Sequence, residues 1–456
     1  MALCFSALAA QAQQAKYVFY FIGDGMGNNH VYATNLFLKQ QQQDALLFPT
    51  FPVLGLASTY SQSNDITDSA AAGTALATGT KTSNGTISMD ADHDNALRTL
   101  GESATLSDKA VGIVTSVSVD HATPAVFYAH QPSRRQAYEI ASSLSGSGVD
   151  FLAGGGFVEP RKKGNANAPL VYDLFEADGY TVFRGEEAYD NRKQDAEKVI
   201  LIQEEGKNPS SLPNVIDDVD DALTLPYLTR QAIDHLKNKQ DGFFLMVEGG
   251  MIDWASHSND IATAIHEVKD FDQAIRLAYD FYKQKPDSTL IVVTADHETG
   301  GLSMGRKGYV MHIDALAEQK ISQGMLSKII EEMRVKAHES GQPIQWDALK
   351  ELLKDKMGFW DEIELSEEQE DRLRALLDTM NAGKDKAQKS EYYVDQAMSK
   401  LAIAILAEVT NVAWGTTGHS AAQVPVYAIG VGSDAFTGLM DNTDIPRRIR
   451  RVADYK

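Results

Sequence analysis

The feature that most restricts this chain is a set of short, continuously apolar runs that each meet a glycine, a carboxylate or a histidine. Tyr17–Ile22 is the first and ends in Gly23-Asp24-Gly25. Residues 110–119, 243–247, 290–294 and 424–431 have the same character. Glu248 closes the third of these runs, Asp296 follows the fourth closely, and His419 lies just before the fifth. Runs this short and this rich in β-branched and aromatic residues suit strands buried on both faces. Apolar residues at helical spacing lie between them, as over residues 262–283. The pattern predicts an α/β fold, a three-layer α/β/α arrangement around a central, mostly parallel sheet.

The whole chain has 456 residues, and 42 Lys+Arg against 63 Asp+Glu leave a net charge of −21. That balance excludes a nucleic-acid partner, because a phosphate backbone requires basic surface. No apolar run approaches the roughly 18–20 residues of a membrane span. Residues 16–456 are read as one domain, since large α/β folds exceed the usual length of about 150 residues. Two stretches break the rhythm. Residues 305–412 are rich in Glu, Lys, Leu, Met and Gln. Amphipathic helices are predicted there over residues 326–336, 346–356, 366–380 and 392–406. This helical insertion reads as a lid, a crown over the site or a dimer contact, or else as a solvated excursion. Residues 157–215 form a second, polar excursion. At the start, residues 1–15 carry no charge, and Ala10-Gln11-Ala12 has the small-x-small form of a signal-peptidase site. Residues 1–12 therefore read as the remnant of a signal peptide cleaved after Ala12, which predicts a periplasmic or secreted protein. Cys4, the only cysteine, would leave with it.

The candidate chemistry sits at the strand ends, where open α/β sheets place their ligands. Asp24, Asp253, His257, Asp296, His297 and His419 are suitable ligands for clustered divalent ions, and mixed His/Asp sets suit zinc. Each alone has a plainer reading, since an Asp after a strand is commonly a turn former or helix cap. Asp253 and His257 are spaced to share one helical face. Ser69 opens a small-residue helix, Thr67-Asp68-Ser69-Ala70-Ala71-Ala72. A helix N-terminus suits phosphate, yet on local sequence Ser69 itself reads as the cap. No Gly-x-Ser-x-Gly elbow surrounds it.

Taken together, these segments resemble the alkaline phosphatase family of the bacterial serine type. The matching pieces are Phe21-Ile22-Gly23-Asp24-Gly25-Met26-Gly27, Thr67-Asp68-Ser69-Ala70-Ala71, Thr78-Gly79-Thr80-Lys81-Thr82 and His121-Ala122-Thr123-Pro124. Ser133-Arg134, Met246-Val247-Glu248-Gly249, Ile252-Asp253 with His257, Thr294-Ala295-Asp296-His297-Glu298-Thr299-Gly300-Gly301 and Gly418-His419 continue the match in the family's order. The resemblance implies an alkaline-phosphatase-like fold and a phosphomonoesterase of broad range, active at alkaline pH through a phosphoserine. Ser69 would be the nucleophile and Arg134 the phosphate clamp. Asp253, His257 and His419 would hold one zinc, and Asp24, Asp296 and His297 a second. Asp24, Thr123 and Glu248 would hold a third ion, usually magnesium. The cofactors implied are thus two Zn2+ and one Mg2+, with small phosphate monoesters and inorganic phosphate as ligands and a homodimer as the assembly.

Two positions depart from part of the family. His121 stands where some members carry aspartate, and Trp254 where some carry lysine. Imidazole beside the third site favours zinc there over magnesium, and the missing lysine removes a cation near the phosphate. A sulfatase is disfavoured because Ser69 lacks a C/S-x-P-x-R context. A phosphodiesterase on the same fold and a non-catalytic phosphate-binding protein remain as rivals.

Overall fold

The computed structural model describes residues 14–193, 196–383, 388–389 and 394–456. The signal-peptide reading of residues 1–12 lies outside the described residues. The central sheet has ten strands: β1 (Tyr17–Ile22), β2 (Val53–Ser58), β3 (Ala110–Thr115), β4 (Phe151–Gly154), β5 (Tyr180–Arg184), β6 (Lys198–Ile202), β7 (Phe243–Glu248), β8 (Thr289–Thr294), β9 (Val424–Gly430) and β10 (Gly438–Asp441). They lie in the order β10-β2-β9-β8-β1-β7-β3-β4-β6-β5. Only β9 runs antiparallel, against both β2 and β8; every other pairing is parallel. The mostly parallel α/β architecture is borne out.

β1, β3, β7 and β8 are buried along their whole length, which is why each reads as an unbroken apolar run. β1 lies between β7 and β8, with Ile22 opposite both Glu248 and Thr294. That register brings Asp24, Glu248 and Asp296 to the same edge of the sheet. Gly25 follows at φ +73°, and a Cβ there would come within 2.8 Å of Thr299 Oγ1 and 2.9 Å of the Asp253 Cα. Glycine is therefore needed for the end of β1 to lie against the Asp253 segment.

Three strand expectations are corrected. β3 stops at Thr115 rather than 119, because the chain leaves the ladder: Ser116 N–H donates to the Glu248 carbonyl and Val119 N–H to Gly156. β9 stops at Gly430, whose φ of +103° ends the extended run. Residues 157–215 are not wholly an excursion, since β5 and β6 extend the sheet to its edge.

The insertion carries helices Gln323–Ser340, Trp346–Met357, Glu367–Asn381 and Ala397–Thr410. The last begins later than the expected residue 392, and residues 392–393 lie outside the described set. Leu326, Ile330, Leu353, Leu377 and Leu406 form a second core there, joined to Phe37 and Ile265 of the body helices Asn28–Gln40 and Ile261–Gln284. Buried Asp260 caps Ile261–Gln284 and also accepts from Gln319 Nε2 at 2.9 Å and Gln323 N at 2.9 Å. The insertion is thus anchored to the body by both apolar contact and a satisfied buried carboxylate. Among the described residues no helix is long and apolar enough to cross a membrane.

Candidate active site and metal centre

Asp24 follows β1, Glu248 ends β7 and Asp296 follows β8, and all three side chains are buried. Helix Met251–His257 adds Asp253 and His257 on one face, and His419 arrives just before β9. The geometry gathers these groups into three sets. Ligand atoms of Asp253, His297 and His419 lie within 4.8 Å of one another, as do those of Asp24, Asp296 and His297, and those of Asp24, His121 and Glu248. His257 stands outside these sets, but its Nε2 is 3.2 Å from Asp253 Oδ2. Thr123 Oγ1 donates to Asp24 Oδ2 at 3.2 Å.

The three principal histidines are each held through Nδ1 by a threonine, two of them through a backbone carbonyl. Nδ1–H of His257 donates to the Thr417 carbonyl at 2.6 Å, and Nδ1–H of His419 to the Thr67 carbonyl at 2.8 Å. Thr299 Oγ1 donates to Asp253 Oδ1 at 2.5 Å and accepts from His297 Nδ1 at 3.2 Å. Each ring therefore turns its Nε2 inward, the atom that a bound metal ion would take. Replacing Thr299 by valine keeps its shape and deletes both bonds. Thr299→Val is expected to weaken metal binding about 10- to 100-fold. A chelator-competition titration checks this, and unchanged affinity would show Thr299 to be mere filling.

Electrostatics give the fit test for cations. Burial, then the Asp296 charge, pushes the Asp24 carboxyl well above its ordinary range. Burial, then Asp253, does the same to Asp296. Burial pushes Glu248 up to about 7, although Thr115 Oγ1 donates to it. Asp24 Oδ1, Asp296 Oδ2 and Glu248 Oε1 are buried acceptors with no hydrogen-bond donor. Crowded, buried, under-bonded carboxylates are costly alone, and hard cations resolve them. In Asp253, burial is outweighed by His257, His419 and His297, which hold its carboxyl below the usual range. The residues present therefore fit divalent ions.

Ser69 is the first residue of helix Ser69–Thr78, and the cap is Asp68, whose Oδ1 accepts from Ala71 N at 3.0 Å. The local reading of Ser69 as the cap is corrected: Asp68 fills that role and frees the serine hydroxyl. Ser69 Oγ lies 3.2 Å from His297 Nε2. Asp68 does more, since its Oδ2 holds Arg134 Nη1 at 3.1 Å. The second guanidinium nitrogen, Nη2, donates to His121 Nε2 at 2.9 Å. Burial, then Arg134, pushes His121 down to about 3, so the ring is neutral and can accept that bond. The His121 ring in turn meets the Trp254 ring edge-on at 6.2 Å. Sequence reasoning assigned no role to Asp68 or Thr299. The signal for Asp68 was its place just before the small-residue helix; Thr299 had none beyond its motif.

A family model described as Alkaline phosphatase matches residues 15–153 and 190–455. Alkaline phosphatase 3 of Bacillus subtilis (strain 168) is 34% identical over 456 residues, covering 97% of this chain and 90% of that protein. Among solved structures, the cold-active alkaline phosphatase of Shewanella sp. is similar at 30% identity and a TM-score of 0.78, over 96% of this chain and 99% of that one. A histidine-to-aspartate variant of TAB5 alkaline phosphatase, with magnesium bound in its M3 site, is similar at 25% identity and a TM-score of 0.68, over 98% of this chain and 100% of that one.

Proposed function

The chain belongs to the alkaline phosphatase family, and on that premise we propose that it is a metal-dependent phosphomonoesterase that works through a phosphoserine on Ser69. The observation that carries the reading is the hydroxyl of Ser69, 3.2 Å from His297 Nε2 and at the mouth of a helix, beside three sets of convergent ligands. Asp253, His257 and His419 would hold one zinc, Asp24, Asp296 and His297 a second, and Asp24, Thr123 and Glu248 a third ion. Bound there, divalent cations supply positive charge that favours an ionised serine oxygen and steadies the departing one.

The chain's own residues do the positioning. Arg134 presents a planar fork to two phosphate oxygens, which lysine cannot imitate. Asp68 and His121 hold that fork from behind. The positive end of helix Ser69–Thr78 faces the same anion. The serine oxygen forms a bond to phosphorus while the ester oxygen departs and takes a proton. Water then attacks the phosphoserine, returning the hydroxyl and releasing inorganic phosphate. Hydrolysis of a chromogenic phosphate monoester beside its matching diester tests the reading. Monoester turnover with release of phosphate is expected, and preference for the diester would replace the monoesterase with a diesterase.

His121 bears on the third ion. Its Nε2 already accepts from Arg134, so it serves the clamp better than it serves a metal. A carboxylate at that place offers the hard oxygen that magnesium prefers. The TAB5 variant with aspartate for histidine and magnesium in its M3 site supports this. His121→Asp is therefore expected to make activity depend on added magnesium, while the unaltered protein needs only zinc. Identical magnesium titrations of the two proteins would sink the idea. Homodimerisation and export rest on the family likeness and on the uncharged opening residues, and sedimentation and N-terminal sequencing of the mature protein decide them.

A further inference from the structure

We propose that His30 is a positioning residue of the metal centre. Through Ser256 it fixes helix Met251–His257, and with it Asp253 and His257, against the turn that carries Asp24. The proposal rests on the metal-dependent reading above and deepens it. Helix Met251–His257 has only seven residues, far below the roughly 12–15 at which isolated helices begin to hold in water. Gly250, which caps it, offers no side chain. Its orientation must therefore come from contacts with its neighbours.

His30 and Ser256 are both buried. The Gly27 N–H, shared with the Gly25 carbonyl at 3.1 Å, donates to His30 Nδ1 at 3.1 Å. Nδ1 therefore carries the lone pair, and the neutral ring keeps its proton on Nε2. Burial, against the pull of Glu298 and Asp253, holds this imidazole down at about 4, in keeping with a neutral ring. Nε2–H then donates to Ser256 Oγ at 3.0 Å. The Ser256 hydroxyl passes the bond on to the Ile252 carbonyl at 2.7 Å. Each atom of this relay has one role, so its direction is fixed. The Trp414 ring, 5.9 Å from the imidazole and tilted by 57°, packs beside it.

The ends of the relay meet different ligand sets. Gly27 closes the turn that begins at Asp24, and His30 stands in the first turn of helix Asn28–Gln40. Ser256 lies three residues after Asp253 and next to His257. A bond to Ser256 thus sets the rotation of the short helix, and hence where the face bearing Asp253 and His257 points. The two pieces already touch, since a Cβ on Gly25 would come within 2.9 Å of Asp253 Cα. Contact alone fixes the distance between them, and the relay adds the angle. His30 belongs to none of the three convergent ligand sets, and both of its ring nitrogens are engaged. It acts through Ser256 and not on an ion.

The test uses the full chain, stripped of metal and titrated with zinc against a chelator. Glutamine places an amide N–H₂ where Nε2 lies, and asparagine places an amide oxygen where Nδ1 lies. His30→Gln is expected to bind zinc within about two-fold of the unaltered protein, and His30→Asn about ten-fold more weakly. Ser256→Ala, which removes one hydroxyl and keeps a good helix former, is expected to match His30→Asn. The double variant His30→Asn with Ser256→Ala should be no weaker than either alone, because both break one link. Equal losses in His30→Gln and His30→Asn, additive losses in the double variant, or unchanged zinc affinity in Ser256→Ala would each overturn the proposal. A histidine that merely filled space would lower the melting temperature of the stripped protein and leave the zinc titration unmoved. Ser256→Ala keeps the test decisive should His30→Asn fail to fold. Zinc binding is read without turnover. An unaltered protein that binds zinc and hydrolyses no monoester therefore overturns the phosphomonoesterase reading and leaves the relay to this titration.

Discussion

Ser69→Ala is expected to lower kcat by at least about 10⁴-fold, with protein fold and metal content unchanged, because a covalent nucleophile has no local substitute. The fold should survive. Ser69 occupies the first position of its helix, and the capping bond belongs to Asp68. Alanine is a good helix former and removes only one hydroxyl from a buried site. The same placement makes the effect interpretable, since the variant leaves Arg134 held by Asp68 and His121. Metal content is measured by atomic absorption beside the rate, and acid-quenched protein is examined for phosphoserine by mass spectrometry. The unaltered protein should carry phosphate on Ser69 at the quench and the variant none. Full activity in Ser69→Ala would make the serine a helix residue and require a hydroxide to attack directly.

What the sequence could reveal followed from geometry that sequence records. Buried parallel strands read as unbroken apolar runs, and their carboxyl ends share one edge, so Asp24, Glu248 and Asp296 were visible as a group before their register was known. Asp253 and His257 were visible through helical spacing, which the helix Met251–His257 meets. Ser69 was different. Its local sequence favours a cap, and only likeness to a family raised it above that reading. The supports of the site were largely hidden because backbone carbonyls have no letter. Nothing in the sequence marks Thr67 and Thr417 as the acceptors that orient His419 and His257. β6 was hidden for another reason: its residues Val199, Ile200, Leu201 and Ile202 are apolar, but they lie in a polar neighbourhood that masks a five-residue strand. β2 was obscured by alternation, with Val53, Gly55 and Ala57 inside and Leu54 exposed.

Removal of the metals is expected to abolish turnover, with zinc restoring it, and to lower the melting temperature by an amount that grows between about pH 6.5 and 9, the range over which His257 loses its proton. The pH term follows from the site itself. With no ion present, burial and then mutual repulsion hold Asp24 and Asp296 well above the unfolded carboxyl value, and burial lifts Glu248 to about 7. Groups raised on folding bind more protons in the native state, so stripped protein loses stability as pH rises from the unfolded to the folded value, a loss that for Glu248 is complete by about 7. His257 acts in the same direction. Burial opposes its charge, but Asp253 prevails and raises it to about 9, so its stabilisation is present below the unfolded value of about 6.5 and is lost by about 9. His297 and His121 are lowered by burial, and their opposing contribution is confined to pH below about 6.5. Asp253, held below the usual range, is ionised throughout. Cations bind the ionised carboxylates and neutral imidazoles that high pH provides, so loaded protein escapes the loss. Melting curves of stripped and zinc-loaded protein across that range measure the gap. A gap that stays constant or narrows with pH would mean that the Asp253 charge does not hold a proton on His257 in the stripped protein, and activity that survives complete stripping would remove the metals from the mechanism.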